Sequence, residues 1–144
     1  MRHGLLALPI LALCGCADQA GPAATAPQAY QCLLPGEERM LVAELFFGRA
    51  IKGRGDLTDA EWAQFAADAV TPNFPEGFTV FDGEGQWRNP QTGRIGRERS
   101  KILLVAAKRG PDLASRLSAV TDAYKTRFHQ QSVGVITRDA CAAF

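Results

Sequence analysis

The chain has 144 residues, 47% of them hydrophobic, with 16 Lys and Arg against 15 Asp and Glu. So even a balance leaves no basic field to attract a polyanion, which argues against a general nucleic-acid binder. The length suits one domain with a substantial core, preceded by a short leader.

The leader comes first. Arg2 and His3 give a basic start, and Leu5–Leu13 (LLALPILAL) is apolar but too short to span a bilayer. It runs into L-C-G-C, Leu13–Cys16, a lipobox pattern that resembles the signal of bacterial lipoproteins. The expected outcome is a signal peptide at residues 1–15 and a lipidated Cys16. The alternative is an ordinary secretory peptide with a chance cysteine. Two or three acyl chains would anchor the protein firmly. Ala17 follows Cys16 where a retention Asp would otherwise stand, which favours the periplasmic face of the outer membrane. Residues 16–29 are rich in Ala, Pro and Gly and read as a flexible tether. The folded domain is expected at residues 30–144. Loss of Arg2 takes the 16 basic residues to 15, equal to the 15 acidic ones.

With Cys14 removed and Cys16 lipidated, Cys32 and Cys141 remain, and an oxidising compartment predicts a disulfide between them. The chain-entropy model assigns so long a loop about 4–5 kcal/mol. Two buried free thiols are the alternative. Of the 2 histidines, His3 leaves with the leader and His129 stays. One histidine and two paired cysteines make a poor ligand set, so neither a metal nor a cofactor is expected.

Met40–Phe47 (MLVAELFF) reads as a strand buried on both faces. Thr58-Asp-Ala-Glu61 is a capping-box sequence, and Trp62, Phe65, Ala66, Ala69 and Val70 form an apolar helical stripe behind it. The residue before Pro72 disfavours helix, so the helix should stop at Thr71-Pro72. Gly77–Phe81 and Lys101–Ala107 read as two arms of a long hairpin turning at Asn89–Gly93. The glycines of FDGEGQWRNP, Phe81–Pro90, suit a bulge within one arm. Gly110-Pro111 should open a second helix, with Pro111 at its first position and a stripe of Leu113, Leu117, Val120, Tyr124 and Phe128. Ser132–Phe144 is the last strand. The order βαββαβ is an α+β, ferredoxin-like pattern: two helices on one face of a four-stranded antiparallel sheet.

Such a sheet leaves its other face open, and Val42, Phe46, Ile102 and Leu104 would lie there. An exposed apolar face marks an interface or a pocket. Three solutions are sheet-to-sheet homodimerisation, a small-molecule site, and Tyr30–Pro35 folding over the face.

Five residues stand out as possible functional groups. Glu44, between apolar neighbours, is either a general base on the open face or a structural partner of Arg97, Arg99 or Lys101. Arg49, in the glycine-rich stretch with Lys52 and Arg54, either helps hold an anion or belongs to a solvated loop. Trp87, Arg88 and Arg97 make the hairpin tip a candidate contact surface. The excess of Arg88, Arg94, Arg97, Arg99 and Lys101 over Glu98 could meet lipid phosphates or merely discourage edge pairing. Trp62 and Tyr124 are expected in the core.

ELFFGRAI, TDAEWAQF, VTPNFPEGFTVFDGEGQWRNP, RSKILLV and AYKTRFHQQSV, in this order, resemble the bacterial family called domain of unknown function 3574. The resemblance implies a small exported protein, often with a lipoprotein signal, and no particular chemistry. The expectation is therefore a lipid-anchored binding or interaction module, whose partners are the membrane through the anchor, no nucleic acid, and an unknown ligand. A cofactor-independent enzyme of the dimeric α/β-barrel type is the alternative.

Overall fold

The computed structural model describes residues 31–88 and 92–144. The leader, Cys16, the tether, Tyr30 and the hairpin residues 89–91 lie outside the described residues.

Cys32–Phe144 forms a compact unit. Its elements are β1 (Glu38–Gly48), α1 (Asp59–Phe65), a π-helical turn (Ala66–Val70), α2 (Thr71–Asn73), β2 (Thr79–Arg88), β3 (Ile95–Ala107), α3 (Leu113–Phe128) and β4 (Gly134–Ala142). One sheet runs in the order β2-β3-β1-β4, with every neighbouring pair antiparallel. This is the ferredoxin-like fold that the order of elements predicts.

Alternation along β1 sends Ala43, Leu45 and Phe47 towards the helices. Their antiparallel partners Val105, Leu103 and Lys101 share that face. Against them pack Trp62 and Phe65 of α1 and Val120, Tyr124 and Phe128 of α3. The centre is aromatic: Phe47 lies 5.2 Å from Trp62 and 4.7 Å from Tyr124, and Phe65 lies 5.1 Å from Tyr124, in tilted or edge-on geometry. Such pairs add about 0.5–1.5 kcal/mol each beyond the area they bury. The Tyr124 hydroxyl donates to the Gly48 carbonyl at 2.9 Å. Burial, then the charge of Glu98, pushes that phenol well above its usual range.

The capping box forms as written. The Glu61 amide donates to Thr58 Oγ1 at 3.2 Å, and the Thr58 amide donates to Glu61 Oε2 at 2.9 Å. The helix does not stop at Thr71-Pro72, however. It widens into the π turn and continues to Asn73. Proline lacks an amide hydrogen and its ring collides with the carbonyl four residues back. A turn with one extra residue relieves that crowding. Phe74 N–H then bonds back to the Val70 carbonyl at 2.9 Å, and the Phe74 ring is buried.

Three further expectations differ. The hairpin carries no bulge, because every pair from Thr79↔Leu104 to Arg88↔Ile95 keeps one register. Gly83 and Gly96 are there for space. A Cβ on Gly83 would stand 2.8 Å from Ile102 Cδ1, and one on Gly96 would stand 3.1 Å from Trp87 Nε1. Second, α3 begins at Leu113, with Pro111 in a turn ahead of it, where Leu113 N–H bonds to the Gly110 carbonyl. Third, Leu33 and Leu34 are 89% and 60% exposed, so the described part of the Tyr30–Pro35 segment does not close over the sheet.

Cys32 and Cys141 are bonded, with an S–S distance of 2.06 Å and Cα atoms 5.5 Å apart. Cys141 pairs with Arg39 across the β1–β4 ladder, which brings the end of the last strand beside the entry to the first.

Candidate functional site

The two faces of the sheet divide the candidate residues. Trp87 pairs with Gly96, in phase with Phe81, Ile102 and Glu98, on the face away from the helices. Arg88, Gln86 and Glu84 alternate to the other face, with their partners Ile95, Arg97 and Arg99. The contact surface expected at the hairpin tip is thus split: Trp87 points one way, and Arg88 and Arg97 the other. An unbroken period-two strand cannot place neighbours on one face.

Arg49 is neither an anion-loop residue nor solvated. It is buried, and its Nε donates to the Leu57 carbonyl at 2.8 Å. Its guanidinium lies 3.2 Å from Asp59 and 3.4 Å from Asp82. Lys101, also buried, reaches the same carboxylates at 2.9 and 2.6 Å. Two cations beneath two surface carboxylates make a balanced group joining β1, β2, β3 and the start of α1. Burial acts against the Lys101 ammonium, yet its hydrogen bonds to Asp82 and Asp59 prevail and raise its pKa. The Lys101 hydrogen bond, then the Lys101 and Arg49 charges, holds the Asp59 carboxyl below its ordinary value. This group was missed in sequence, although a signal exists. Arg49 and Lys101 lie in phase with the inward residues of their strands, where an unpaired charge would be untenable.

The same pairing removes much of the hairpin's basic excess. Lys101 is neutralised as above, and Arg99 donates to Asp56 at 2.9 Å. The acids come from other elements, which a count along the hairpin does not see.

Glu44 lies on the open face, but its partner is not Arg97, Arg99 or Lys101. Those residues occupy the helix-side phase of β3. Glu44 instead meets Arg138 of β4 at 2.9 Å. Around the pair, Phe46, Phe81, Ile102 and Leu104 line a shallow concavity of about 370 Å³. Phe81 and Ile136 are about half exposed. The centre of the face is therefore an apolar plane with one closed ion pair.

A second concavity, of about 660 Å³, lies at the Trp87 end of the face. Phe46, Trp87, Glu98 and Ser100 line it from the sheet, and His129–Ser132 from the end of α3. Elsewhere, Cys32, Cys141 and Glu37 are close enough to suggest a cation site, but the two sulfurs are bonded to each other and offer no thiolate.

A family model described as "Protein of unknown function (DUF3574)" matches residues 42–144. The chain belongs to this family. The match spans β1 to β4, so the family signature and the ferredoxin-like domain coincide. No curated protein matches the chain in sequence. Among solved structures it is similar to a phage SAM lyase in complex with S-methyl-5'-thioadenosine, at 14% identity and a TM-score of 0.56, covering 79% of this chain and 95% of that one. The same phage enzyme in its apo state gives 15% identity and a TM-score of 0.54, covering 81% and 97%. CutA from Synechococcus elongatus PCC7942, complexed with Bis-Tris, gives 13% identity and a TM-score of 0.48, covering 74% and 87%. At such identities the two lyase structures establish the shared fold and leave the chemistry open.

Proposed function

We propose that this member of the family is a lipid-anchored envelope protein whose domain is an interaction module, with the open sheet face as its contact surface and a second copy of the chain as its occupant. The observation that carries the reading is the closed Glu44–Arg138 pair inside an apolar plane of Val42, Phe46, Phe81, Ile102, Leu104 and Ile136. The centre of the face carries one acid and one base, already paired, and so presents no net charge there to repel its own copy. Its apolar area gains by leaving water. The enzyme alternative needs polar groups converging on Glu44, and among the described residues Arg138 is the polar group beside it, in a lining otherwise apolar. The anchor rests on Leu13–Cys16, and the outer-membrane placement on Ala17.

The test uses the full chain purified in detergent from its native envelope. Native mass spectrometry should give a dimer, and the peptide beginning at Cys16 should carry a diacylglyceryl group. Phe81→Glu and Ile136→Glu should each shift the dimer to monomer while leaving the far-ultraviolet circular dichroism intact. A clean monomer without bound ligand overturns the module. An unmodified Cys16 overturns the anchor and leaves the module standing.

A further inference from the structure

We infer that the concavity at the Trp87 end of the open face is a binding site for a small organic ammonium cation, with Trp87 and Glu98 as its recognition pair. The inference does not depend on what covers the apolar centre of the face.

Four observations converge. First, Trp87 is 51% exposed although it stands on a regular strand. Its indole lies against Gly96, where a Cβ would meet ring atoms at 3.1–3.6 Å, so the ring rests on the strand while about half its surface stays exposed. A large aromatic fixed in this way is an uncommon surface residue and a good platform for a cation.

Second, Glu98 stands diagonally across the β2–β3 ladder from Trp87, opposite Gly85. Diagonal neighbours on one sheet face are within reach of a shared partner. The Glu98 carboxylate lies against Gly48, in the space a side chain there would fill. It is half-buried, and no salt bridge or hydrogen bond to it occurs among the described residues. A carboxylate left without a partner at the wall of a cavity is open to a cation that enters it.

Third, the remaining walls suit a compact ligand with one charged end. Phe46 closes the β1 side, Ser100 lies on the floor, and Gln130, Gln131 and Ser132 supply neutral polar groups. The volume of about 660 Å³ is within the range of small-molecule sites. The other charged or titratable groups on the rim are Lys52 and His129. Lys52 is exposed on a flexible stem, and its ammonium competes with a ligand cation for the same carboxylate.

Fourth, His129, at the C-cap of α3, has φ 51, left-handed backbone that a non-glycine residue adopts at a cost. That turn carries Gln130–Ser132 towards the sheet, and Gln130 is fastened by its side-chain amide to the Ala50 carbonyl at 2.8 Å. Two stretches far apart in sequence, Gly85–Trp87 and His129–Ser132, thus meet at one cavity.

The probe is choline, against its neutral isostere 3,3-dimethylbutanol, titrated into the full chain by isothermal calorimetry. Choline should bind in the millimolar range or tighter, and the neutral alcohol about tenfold more weakly, if at all. Glu98→Gln and Trp87→Leu should each weaken choline about tenfold. Lys52→Met should tighten it, and Asp122→Asn, on the far side of the domain, should change nothing. Unchanged thermal melting of the two site variants separates loss of binding from loss of folding. No heat with choline, equal binding of the alcohol, or wild-type affinity in both site variants overturns the inference.

Discussion

Arg49 shows how position decides the meaning of a charged residue. In sequence it stands beside Gly48 in a run with Lys52 and Arg54, and all three read as one basic loop. In the fold it directly follows β1, in phase with that strand's inward residues and 9% exposed, holding the Leu57 carbonyl and two carboxylates. Its removal and the removal of an acid partner should therefore differ. Arg49→Met leaves the buried Leu57 carbonyl without its side-chain donors and should cost about 1–3 kcal/mol. Asp59→Asn removes one exposed carboxylate from a group that keeps Asp82, and should cost under about 1 kcal/mol. Urea denaturation of the two variants checks the order. Tyr124→Phe, losing the bond to the Gly48 carbonyl, should fall between them at about 0.5–1.5 kcal/mol.

At the level of elements, local signals and tertiary demands agree in most places and part at a few. The Thr58–Glu61 cap needs only four residues and is legible directly. The end of that helix is not local. Pro72 disfavours continuation, but a buried Phe74 draws the chain onward, and the π turn reconciles the two. Arg116 fastens that turn from α3, donating to the Asn73 carbonyl and lying 4.8 Å above the Phe74 ring. The ends of β1 and β4 are held by Cys32–Cys141, 109 residues apart. Reduction, or Cys32→Ser with Cys141→Ser, should lower stability by about 2–5 kcal/mol, while the uninterrupted β1–β4 register keeps the fold. The thermal midpoint with and without reductant measures it. Coincident midpoints would show that the bridge adds nothing.

For the molecule as a whole, acid resistance comes from carboxylates that tie elements together. Asp68 meets Arg127 of α3, Glu76 meets Arg116, and Asp59 meets Lys101. Each carboxyl is held below its ordinary value. Glu61 falls furthest, from 4.5 to about 2, through the Arg54 hydrogen bond and then those from Thr58. The folded state thus binds fewer protons than the unfolded chain across this interval. The stabilisation is complete above pH 4.5 and is lost as pH falls through about 2. Melting temperatures from neutral pH down to that value should decline mainly below pH 4.5, and Glu61→Gln should shallow the decline. An identical slope in that variant would show that Glu61 has no part in it.

The sequence alone determined the order of elements, the helix cap and the apolar stripes, and it made Cys32–Cys141 the expected pairing, which the structure shows. Each is either a local pattern or a matter of elimination. The periodicity also showed that both central strands are apolar on two faces, and hence that one face lies open. Only the tertiary structure decided which charges meet. Glu44 met Arg138, Arg49 and Lys101 met Asp59 and Asp82, and Trp87 was parted from Arg88. Ion pairs form between residues that register places opposite one another, and register is set by the whole ladder rather than by any one strand. The Trp87–Glu98 cavity belongs to the same class. Its walls come from all four strands and the end of α3, so no stretch of sequence contains it.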